Sequence, residues 1–269
     1  MKIVRFAAGR KVKYGVLAKK EIRSLSTSPF AQFKGPGSAF KYDGDTYQES
    51  EVKLLAPCQP SKIVAIGLNY QSHIDEGPKR GVVATPPPTP TNPILFLKPS
   101  TAVIGPNAEI LLPYLDGQVE YEGELGVVIG RKAKDVSRKD AKSYILGYTC
   151  FNDVSERLAQ RSDKQWTRGK GFDTFAPFGP WIETEVNPDN LKLETLLNGE
   201  VRQSSSTKSL IFGISELIYF VTHVMTLLPG DVIATGTPEG VGKIDVGDKV
   251  EIRIEGIGSL VNTVAYHKK

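Results

Sequence analysis

The sequence has few of the residues that build disulfide frameworks or zinc sites, with two cysteines and three histidines in 269 residues. Cys58 and Cys150 lie far apart and cannot form a disulfide framework, which is typical of proteins in a reducing compartment. The scarcity of thiol and imidazole groups argues against a zinc site with cysteine and histidine ligands. Any metal ion in this protein would therefore need oxygen ligands.

Long apolar runs and an excess of one charge are missing as well. The richest apolar stretch, 217–228, is interrupted by Thr222, His223 and Thr226, and no run reaches the ~18 residues that span a bilayer. The N-terminal residues alternate like a strand and lack the apolar core of a signal peptide. Lysine and arginine exceed aspartate and glutamate by only four (34 − 30), without a basic run. We expect a cytoplasmic protein with neither a membrane nor a nucleic acid as partner.

Glycine and proline, 26 and 18 residues, separate many short apolar segments, which predicts a mostly β protein with some helices (α+β). The first ~55 residues alternate and contain turn signals, and a new buried strand begins after Ser61. We predict a small β-rich N-terminal domain at 1–57 and a catalytic domain at 58–269. Strands are predicted at 94–98, 102–104, 119–129, 145–152, 180–183, 231–235 and 250–254.

Two helices and one irregular segment complete this prediction. Apolar residues at helical spacing predict a helix over 214–228, which Pro229 and Gly230 stop, and a shorter helix is expected to begin at Ser155. Residues 76–93 are rich in glycine, proline and threonine and predict a stretch without regular structure. Such a stretch is either a surface linker or a lid, and we favour a lid over a binding site.

The most informative segment is the predicted strand 119–129. Side chains alternate along a strand, so Glu120, Glu122 and Glu124 share one face at ~7 Å spacing, opposite a face of apolar residues. A row of like charges is tolerated on a solvated edge. Because this strand continues into a stretch that is apolar on both faces, the alternative is a buried row that binds Mg²⁺, Mn²⁺ or Ca²⁺.

Asp153 follows the predicted buried strand 145–152 and is a candidate third ligand. The alternative is that Asp153 caps the helix predicted to begin at Ser155. Arg157, one turn further on, would bind an anionic ligand.

Three further motifs contain reactive or binding groups. His73 and Glu76 are three residues apart and would share a helix face, which suits a general base whose imidazole is held by a carboxylate. Lys170 lies between two glycines that permit close approach to a ligand. The glycine-rich turn 235–242 lacks the phosphate-binding GK[ST] pattern, and the amide of Gly236 and the hydroxyl of Thr237 suit a carboxylate.

Together these motifs resemble the fumarylacetoacetate hydrolase (FAH) family, over roughly residues 60–262 and in the same order. The motifs that carry the resemblance are GLNYxxHxxE (67–76), FLKPS (96–100), VEYEGELGVVIG (119–130), GYTCFNDVSERLAQ (147–160), QWTRGKGFDTFAPFGPW (165–181), LPGDVIATGTPEGVG (228–242) and GDKVEIRIEGIGSL (247–260).

The resemblance implies a mixed β-sandwich roll with a small N-terminal domain, assembled as a homodimer. It assigns roles residue by residue: Glu122, Glu124 and Asp153 as ligands of Mg²⁺ or Mn²⁺ (with Ca²⁺ as a substitute in crystals), His73 and Glu76 as the base, Lys170 as the active-site lysine, Arg157, Gln160 and Thr237 as substrate-binding groups, and Glu120 as an acidic neighbour of the ligands. The family pattern S/T-A-R-D-x-Q is altered here, since Glu156 and Leu158 replace a small residue and an aspartate.

The implied function is a divalent-metal-dependent hydrolase that cleaves C–C bonds of small 2-oxo or β-diketo acids, as in aromatic catabolism, through an enolate that the metal stabilises. The alternatives are a decarboxylase of oxaloacetate and an isomerase of 2-hydroxyhepta-2,4-diene-1,7-dioate type. A carboxylate-binding metalloprotein without catalytic activity is the alternative outside the enzymes.

Overall fold

A computed structural model describes residues 1–81 and 84–266, so His267 and part of the predicted lid, residues 82–83, lie outside the described residues. The predicted mostly β, α+β class is confirmed. The strands are β1 Lys2–Ala8, β2 Lys11–Ala18, β3 Glu21–Leu25, β4 Tyr42–Gln48, β5 Lys53–Leu55, β6 Ile63–Gly67, β7 Ile94–Lys98, β8 Val103–Ile104, β9 Glu109–Leu112, β10 Val119–Tyr121, β11 Gly123–Ile129, β12 Ile145–Asn152, β13 Ser155–Glu156, β14 Ala176–Glu183, β15 Lys192–Leu197, β16 Glu200–Ser206, β17 Val232–Ala234, β18 Gly242–Lys243, β19 Lys249–Ile254 and β20 Gly258–Tyr266.

The helices are short and few in the described part of the chain. They are α1 Pro29–Gln32, α2 Gln71–Lys79, α3 Arg157–Ser162, α4 Thr167–Gly171 and α5 Ile214–Val224. Among residues 1–81 and 84–266, no helix is both long enough and apolar enough to cross a membrane.

The largest sheet joins the N-terminal strands to the strands that carry the candidate site. Its order is β4-β3-β2-β1-β14-β12-β11-β17-β6-β7, with β5 paired to β1 and β8 paired to β14. The N-terminal strand β1 is antiparallel to β14, with Lys2 opposite Glu183. Residues 1–57 therefore share a continuous sheet with the rest of the described chain.

Two smaller sheets complete the fold in the described ranges. One has the order β16-β15-β19-β20-β9 and the other the order β13-β10-β18. The smallest sheet holds Glu120, which is opposite Ser155 on β13 and Lys243 on β18.

Strand β11 lies between two apolar cores, which explains why its sequence is apolar on both faces. Leu125, Val127 and Ile129 pack into a core shared with α5 and the five-stranded sheet. Val128, which points to the other face, packs with buried residues of β6, β12 and β14. The expectation that this half of the segment is buried is confirmed, because every residue of β11 is buried.

Several predicted element boundaries are wrong. Helix α5 ends at Val224 rather than 228, since Met225 is already extended (φ −144°, ψ 152°), and Leu228 is 41% exposed. Helix α2 extends to Lys79, so residues 76–79 have regular structure despite Pro78. Because Pro78 is the next-to-last residue of α2, its missing N–H weakens only the end of the helix.

Asp231 ties the start of β6 to the loop that precedes β17. Its fully buried carboxylate accepts hydrogen bonds from the Ser61 amide (2.9 Å), the Ser61 hydroxyl (2.7 Å) and the Leu228 amide (2.8 Å), and it pairs with Lys62 Nζ at 2.6 Å. Removing it leaves these donors without their acceptor.

We expect Asp231→Ala to lower the free energy of unfolding by about 3 kcal/mol, as for other broken buried ion pairs. Urea denaturation measures this change. Asp245→Ala, which removes an exposed partner of Lys243 (66% exposed carboxylate), is the matched control and should cost under about 1 kcal/mol. A loss for Asp231→Ala as small as that of the control would contradict the assigned role.

Candidate active site

A cavity of about 400 Å³ contains most of the predicted site residues. One wall is apolar and includes Ile74, Phe96 and Trp166, whose two aromatic rings meet edge to face at 5.1 Å. The polar lining residues are His73, Glu76, Arg80, Glu120, Glu122, Glu124, Asp153, Arg157, Gln160, Arg161, Lys164, Lys170 and Thr237. A partly apolar pocket with convergent charged groups is the usual form of a small-molecule site.

The floor of the cavity is formed by three buried carboxylates. One oxygen each of Glu122, Glu124 and Asp153 lies within 4.8 Å of the others, and the three residues are at most 4% exposed. The solvated-edge alternative for the glutamate row is therefore wrong, since Glu120 is also only 1% exposed.

The predicted strand 119–129 is broken at Glu122, and this break lets the three carboxylates come together. The pairing of β11 with β12 places Gly123 opposite Asn152, so Glu122 and Asp153 face each other just beyond the last paired residues. The Asp153 amide donates to the Glu122 carbonyl (2.9 Å), and the Asn152 side chain accepts from the Glu122 amide (3.0 Å). Glu122 itself belongs to neither β10 nor β11.

Two buried lysines neutralise part of this floor. Lys170 Nζ lies 2.7 Å from Glu122 Oε2 and 2.6 Å from Asp153 Oδ2. Lys98 Nζ donates to the other Asp153 oxygen (2.6 Å) and to the Val154 carbonyl (3.1 Å). Lys170 can lie this deep because Gly169 lets α4 approach α3, where a Cβ would come within 2.8 Å of the Glu156 carbonyl.

Arginines continue the alternation of charge toward the cavity wall. Arg157 pairs with Glu122 through one guanidinium nitrogen and with Glu120 Oε2 through Nε at 2.6 Å. Arg80, at the end of α2, pairs with the second Glu120 oxygen at 2.5 Å. We call the resulting series the charge chain; in order it consists of Lys98, Asp153, Lys170, Glu122, Arg157, Glu120 and Arg80.

Glu124 differs from the other carboxylates because no cation contacts it within the described residues. Its Oε2 accepts a hydrogen bond from the Gly236 amide at 2.8 Å. Burial, with the negative charges of Asp153 and Glu122, raises the pKa of Glu124 well above its usual range. By contrast, Arg157 and Lys170 overcome the opposing effect of burial and hold the pKa of Glu122 below its usual range.

These carboxylates fit a hard divalent cation. Three converging oxygen donors are the ligand type that Mg²⁺ and Mn²⁺ prefer. Glu124 is buried, and among the described residues it is contacted by the Gly236 amide and by no cation. A divalent ion held by this trio would supply the positive charge that Glu124 lacks.

His73 and Glu76 lie on helix α2 and both line the cavity. His73 Nδ1 is 3.4 Å from Glu76 Oε2, and the other Glu76 oxygen accepts from the Gly240 amide at 2.9 Å. Despite partial burial, these hydrogen bonds and the charge of Arg80 lower the pKa of Glu76, so it is a carboxylate at neutral pH. The imidazole is thus held from Nδ1, which leaves Nε2 for a substrate.

Comparison with known proteins is consistent with this geometry. The family profile described as fumarylacetoacetate (FAA) hydrolase C-terminal matches residues 62–265, and the profile described as Rv2993c-like, N-terminal, matches residues 1–57. The chain belongs to the fumarylacetoacetate hydrolase family. The predicted resemblance is therefore confirmed.

The names of relatives in this family state several different activities. The structure of 5-carboxymethyl-2-hydroxymuconate delta-isomerase from Mycobacterium smegmatis is 44% identical, covers 99% of this chain and all of its own, and has a TM-score of 0.88. Oxaloacetate tautomerase Fahd2a from Rattus norvegicus is 41% identical over 80% of this chain and 70% of its own length. Maleylpyruvate hydrolase from Sphingobium sp. SYK-6, solved with manganese(II) and pyruvate, is 30% identical over all of both chains, with a TM-score of 0.80.

The predicted substrate-binding residues take different positions in the structure. Arg157 and Gln160 line the cavity and bond each other through Nη1 and Oε1 at 2.8 Å. Thr237 also lines it, and its hydroxyl donates to the Gly123 carbonyl (2.9 Å). Gly236 does not line the cavity. Its backbone has a positive φ of 99°, and its amide donates a hydrogen bond to the Glu124 carboxylate. The carboxylate that this amide binds is therefore a protein side chain and not that of a substrate.

The capping alternative for Asp153 is wrong. Helix α3 begins at Arg157, two residues later than predicted, and its N-cap is Glu156, which accepts from the Leu158 and Ala159 amides at 3.2 and 2.6 Å. The glutamate that departs from the FAH pattern therefore supplies the cap. The Asp153 carboxylate is instead part of the floor, where it pairs with Lys98 and Lys170.

Sequence reasoning missed Lys98 and Arg80. Lys98 is a charged residue at the end of the otherwise apolar strand β7, and this contrast is the signal that could have identified it. Arg80 lies in the segment predicted to be irregular, where no periodic pattern marks it.

Proposed function

We propose that this protein is a Mg²⁺- or Mn²⁺-dependent enzyme that interconverts the keto and enol forms, or the double-bond isomers, of small 2-oxo acids. The observation that carries the proposal is the buried trio Glu122, Glu124 and Asp153 at the floor of a cavity that the His73–Glu76 pair also lines. A divalent ion bound there would act as a Lewis acid toward the substrate oxygen that gains negative charge.

The protein's own groups account for the proton transfer. Nε2 of His73 removes a proton from the carbon next to the 2-oxo group, and the C–H electron pair becomes the C=C bond of the enolate. Glu76 stabilises the imidazolium through Nδ1. The proton then returns to the oxygen or to another carbon of the conjugated system, which gives the enol or the isomer. Phe96 and Trp166 line the apolar wall, where their rings would limit the access of water to the enolate.

The substrate's 2-oxo acid end would bind beside Arg157, Gln160 and Thr237, which line the cavity next to the carboxylate floor. We also propose that residues 84–93, which follow α2, act as a lid. Pro87 lines the cavity, and the Thr89 hydroxyl donates to the Gln71 side chain at 2.7 Å, which joins this segment to the helix that carries the base.

Hydrolysis of C–C bonds, the reaction ranked first from the sequence, is the second candidate. The same base could take a proton from water, which would attack a carbonyl and release the enolate carbon with the bonding electron pair. The 30% identical maleylpyruvate hydrolase supports this reaction. Two relatives of higher identity are named isomerase (44%) and tautomerase (41%), and they favour proton transfer.

Product analysis of a substrate panel with Mg²⁺ or Mn²⁺ tests the proposal. We expect oxaloacetate or a 2-hydroxy-dienedioate to show faster enol–keto or double-bond conversion, followed by ultraviolet absorbance, with no carbon-chain cleavage. Release of pyruvate from acylpyruvates, with no effect on the enols, would make hydrolysis the function. No metal-dependent turnover of any panel member would favour a carboxylate-binding metalloprotein.

A further inference from the structure

Strand β16 contributes one fully buried polar side chain, the amide of Gln203. This residue is 1% exposed, whereas the other six residues of β16 are exposed or half-buried. Gln203 does not line the cavity, so its burial is not explained by direct contact with a ligand there. A buried amide is tolerated when its hydrogen bonds are made, and it then holds its partners in fixed positions.

Each end of the Gln203 amide faces groups whose hydrogen-bonding roles are fixed. Oε1 accepts from the Gly123 amide at 2.9 Å and from the Thr195 hydroxyl at 2.6 Å. Nε2 donates to the Pro238 carbonyl at 2.9 Å and to the Thr237 hydroxyl oxygen at 2.8 Å. Because a backbone N–H only donates and a carbonyl only accepts, the orientation of the amide is determined by its partners.

Two glycines let β15 and β16 come close enough to the site for these bonds to form. A Cβ on Gly123 would lie 2.1 Å from the Thr195 hydroxyl oxygen, and a Cβ on Gly240 would lie 2.1 Å from the Arg202 carbonyl oxygen. Neither position has room for a side chain. The close approach of the two strands is therefore built into the backbone on both sides of Gln203.

The orientation of this amide determines what the Thr237 hydroxyl can do. A hydroxyl has one hydrogen to donate and accepts through its lone pairs. Since Gln203 donates to the oxygen, the Thr237 hydrogen points elsewhere, and it is donated to the Gly123 carbonyl at 2.9 Å. Thr237 also lines the cavity. A carboxylate bound there would compete with that neutral carbonyl for the hydrogen, because hydrogen bonds to charged acceptors are stronger.

We propose that Gln203 is a positioning residue that holds the Thr237 hydroxyl as a donor toward the carboxylate of the 2-oxo acid. This inference rests on the proposed function, which places that end of the substrate beside Thr237. Gln203 acts through Thr237, and its loss leaves the hydroxyl without a fixed orientation. Its effect on substrate binding therefore depends on the presence of that hydroxyl.

A double-mutant cycle on the Mg²⁺-loaded protein tests this dependence, with oxalate as the carboxylate probe and isothermal titration calorimetry as the measurement. We expect Thr237→Val to weaken oxalate binding about tenfold, as for a hydrogen bond to a charged group, and Gln203→Met to weaken it about fivefold. The double variant should bind oxalate as Thr237→Val does, about tenfold more weakly than the parent. Mn²⁺ affinity of the metal-free proteins should change less than about twofold, since the carboxylate trio is intact.

The matched control is Asn262→Leu, which removes another buried amide. Asn262 is 1% exposed, lies outside the cavity lining, and donates to the Gly105 and Ala108 carbonyls at 2.9 and 2.8 Å. This variant should lose stability but keep the parent's affinity for oxalate. Gln203→Glu, which keeps an acceptor for the Gly123 amide, replaces Gln203→Met if the latter does not fold. Its loss of oxalate affinity should be larger with Thr237 present than in the Thr237→Val background.

Three results would overturn the inference while the proposed function stands. The first is additive losses, about fiftyfold in the double variant, which would show that Gln203 acts independently of the hydroxyl. The second is unchanged oxalate binding by Thr237→Val. The third is a loss of Mn²⁺ affinity in Gln203→Met that matches its loss of oxalate affinity, which would show that Gln203 supports the carboxylate trio. If the Mg²⁺-loaded parent does not bind oxalate, the proposed function fails, and the inference fails with it.

Discussion

Replacing His73 with alanine is expected to lower turnover by about 10²–10⁴-fold while divalent-metal affinity stays nearly unchanged. The imidazole lines the cavity but contacts Glu76, not the carboxylate trio. Its loss removes the proton acceptor and leaves the oxygen donors at the floor in place. The metal site and the base are thus separable by substitution.

Turnover and Mn²⁺ binding measured on the same protein preparation test this separation. Asp75→Ala is the matched control, since Asp75 is an exposed neighbour on α2 that bonds only Gln71 in the described chain. The control should retain both properties. Equal losses of turnover and metal affinity in His73→Ala would show that the histidine supports the metal site and is not the base.

Glu124→Gln is expected to lower divalent-metal affinity by about 100-fold or more, yet to leave the metal-free protein at least as stable as the parent. Glu124 is a buried carboxylate that no cation contacts among residues 1–81 and 84–266, and its pKa is raised by burial and by its acidic neighbours. An amide removes the cost of burying that charge and retains an oxygen for the Gly236 amide. A residue that served only structure would have the opposite effect on stability.

Thermal unfolding with and without Mn²⁺ measures both effects. Metal at 100 times its Kd should stabilise the parent by about 2.7 kcal/mol and the variant hardly at all. Glu194→Gln, on β15 in the five-stranded sheet, is the control and should keep the full metal effect. The trio assignment fails if Mn²⁺ stabilises Glu124→Gln as strongly as the parent.

The glutamate row illustrates how far the sequence alone can lead. Strand alternation predicted that Glu120, Glu122 and Glu124 share one face, and the apolar continuation suggested that this face is buried. The burial is confirmed, and all three side chains line the cavity. The interruption at Glu122 could not be predicted, because it arises where the chain passes from the small sheet to the large one. Pairing between distant strands determines that point, and local propensity does not contain it.

Long-range contacts explain the other omissions. Lys98 contacts Asp153, 55 positions away in the sequence, and Arg80 contacts Glu120, 40 positions away, so neither pair produces a periodic pattern in the sequence.

The end of α5 was predicted too far along the chain for a related reason. Met225 and Leu228 continue the apolar spacing, but the backbone has already become extended at Met225. Apolar periodicity reports which residues face a core, and it does not report where a helix stops.

The charge chain has a consequence for how this protein can change during evolution. Since the signs alternate from Lys98 to Arg80, losing one member removes an ion pair from each buried or half-buried neighbour of opposite sign. Replacements at the floor are therefore tolerated mainly in compensating pairs, such as Arg80 with Glu120. Arg161 and Lys164 lie outside that constraint and can be exchanged one at a time. The exposed rim of the cavity can thus diverge among relatives while the residues of the floor are retained.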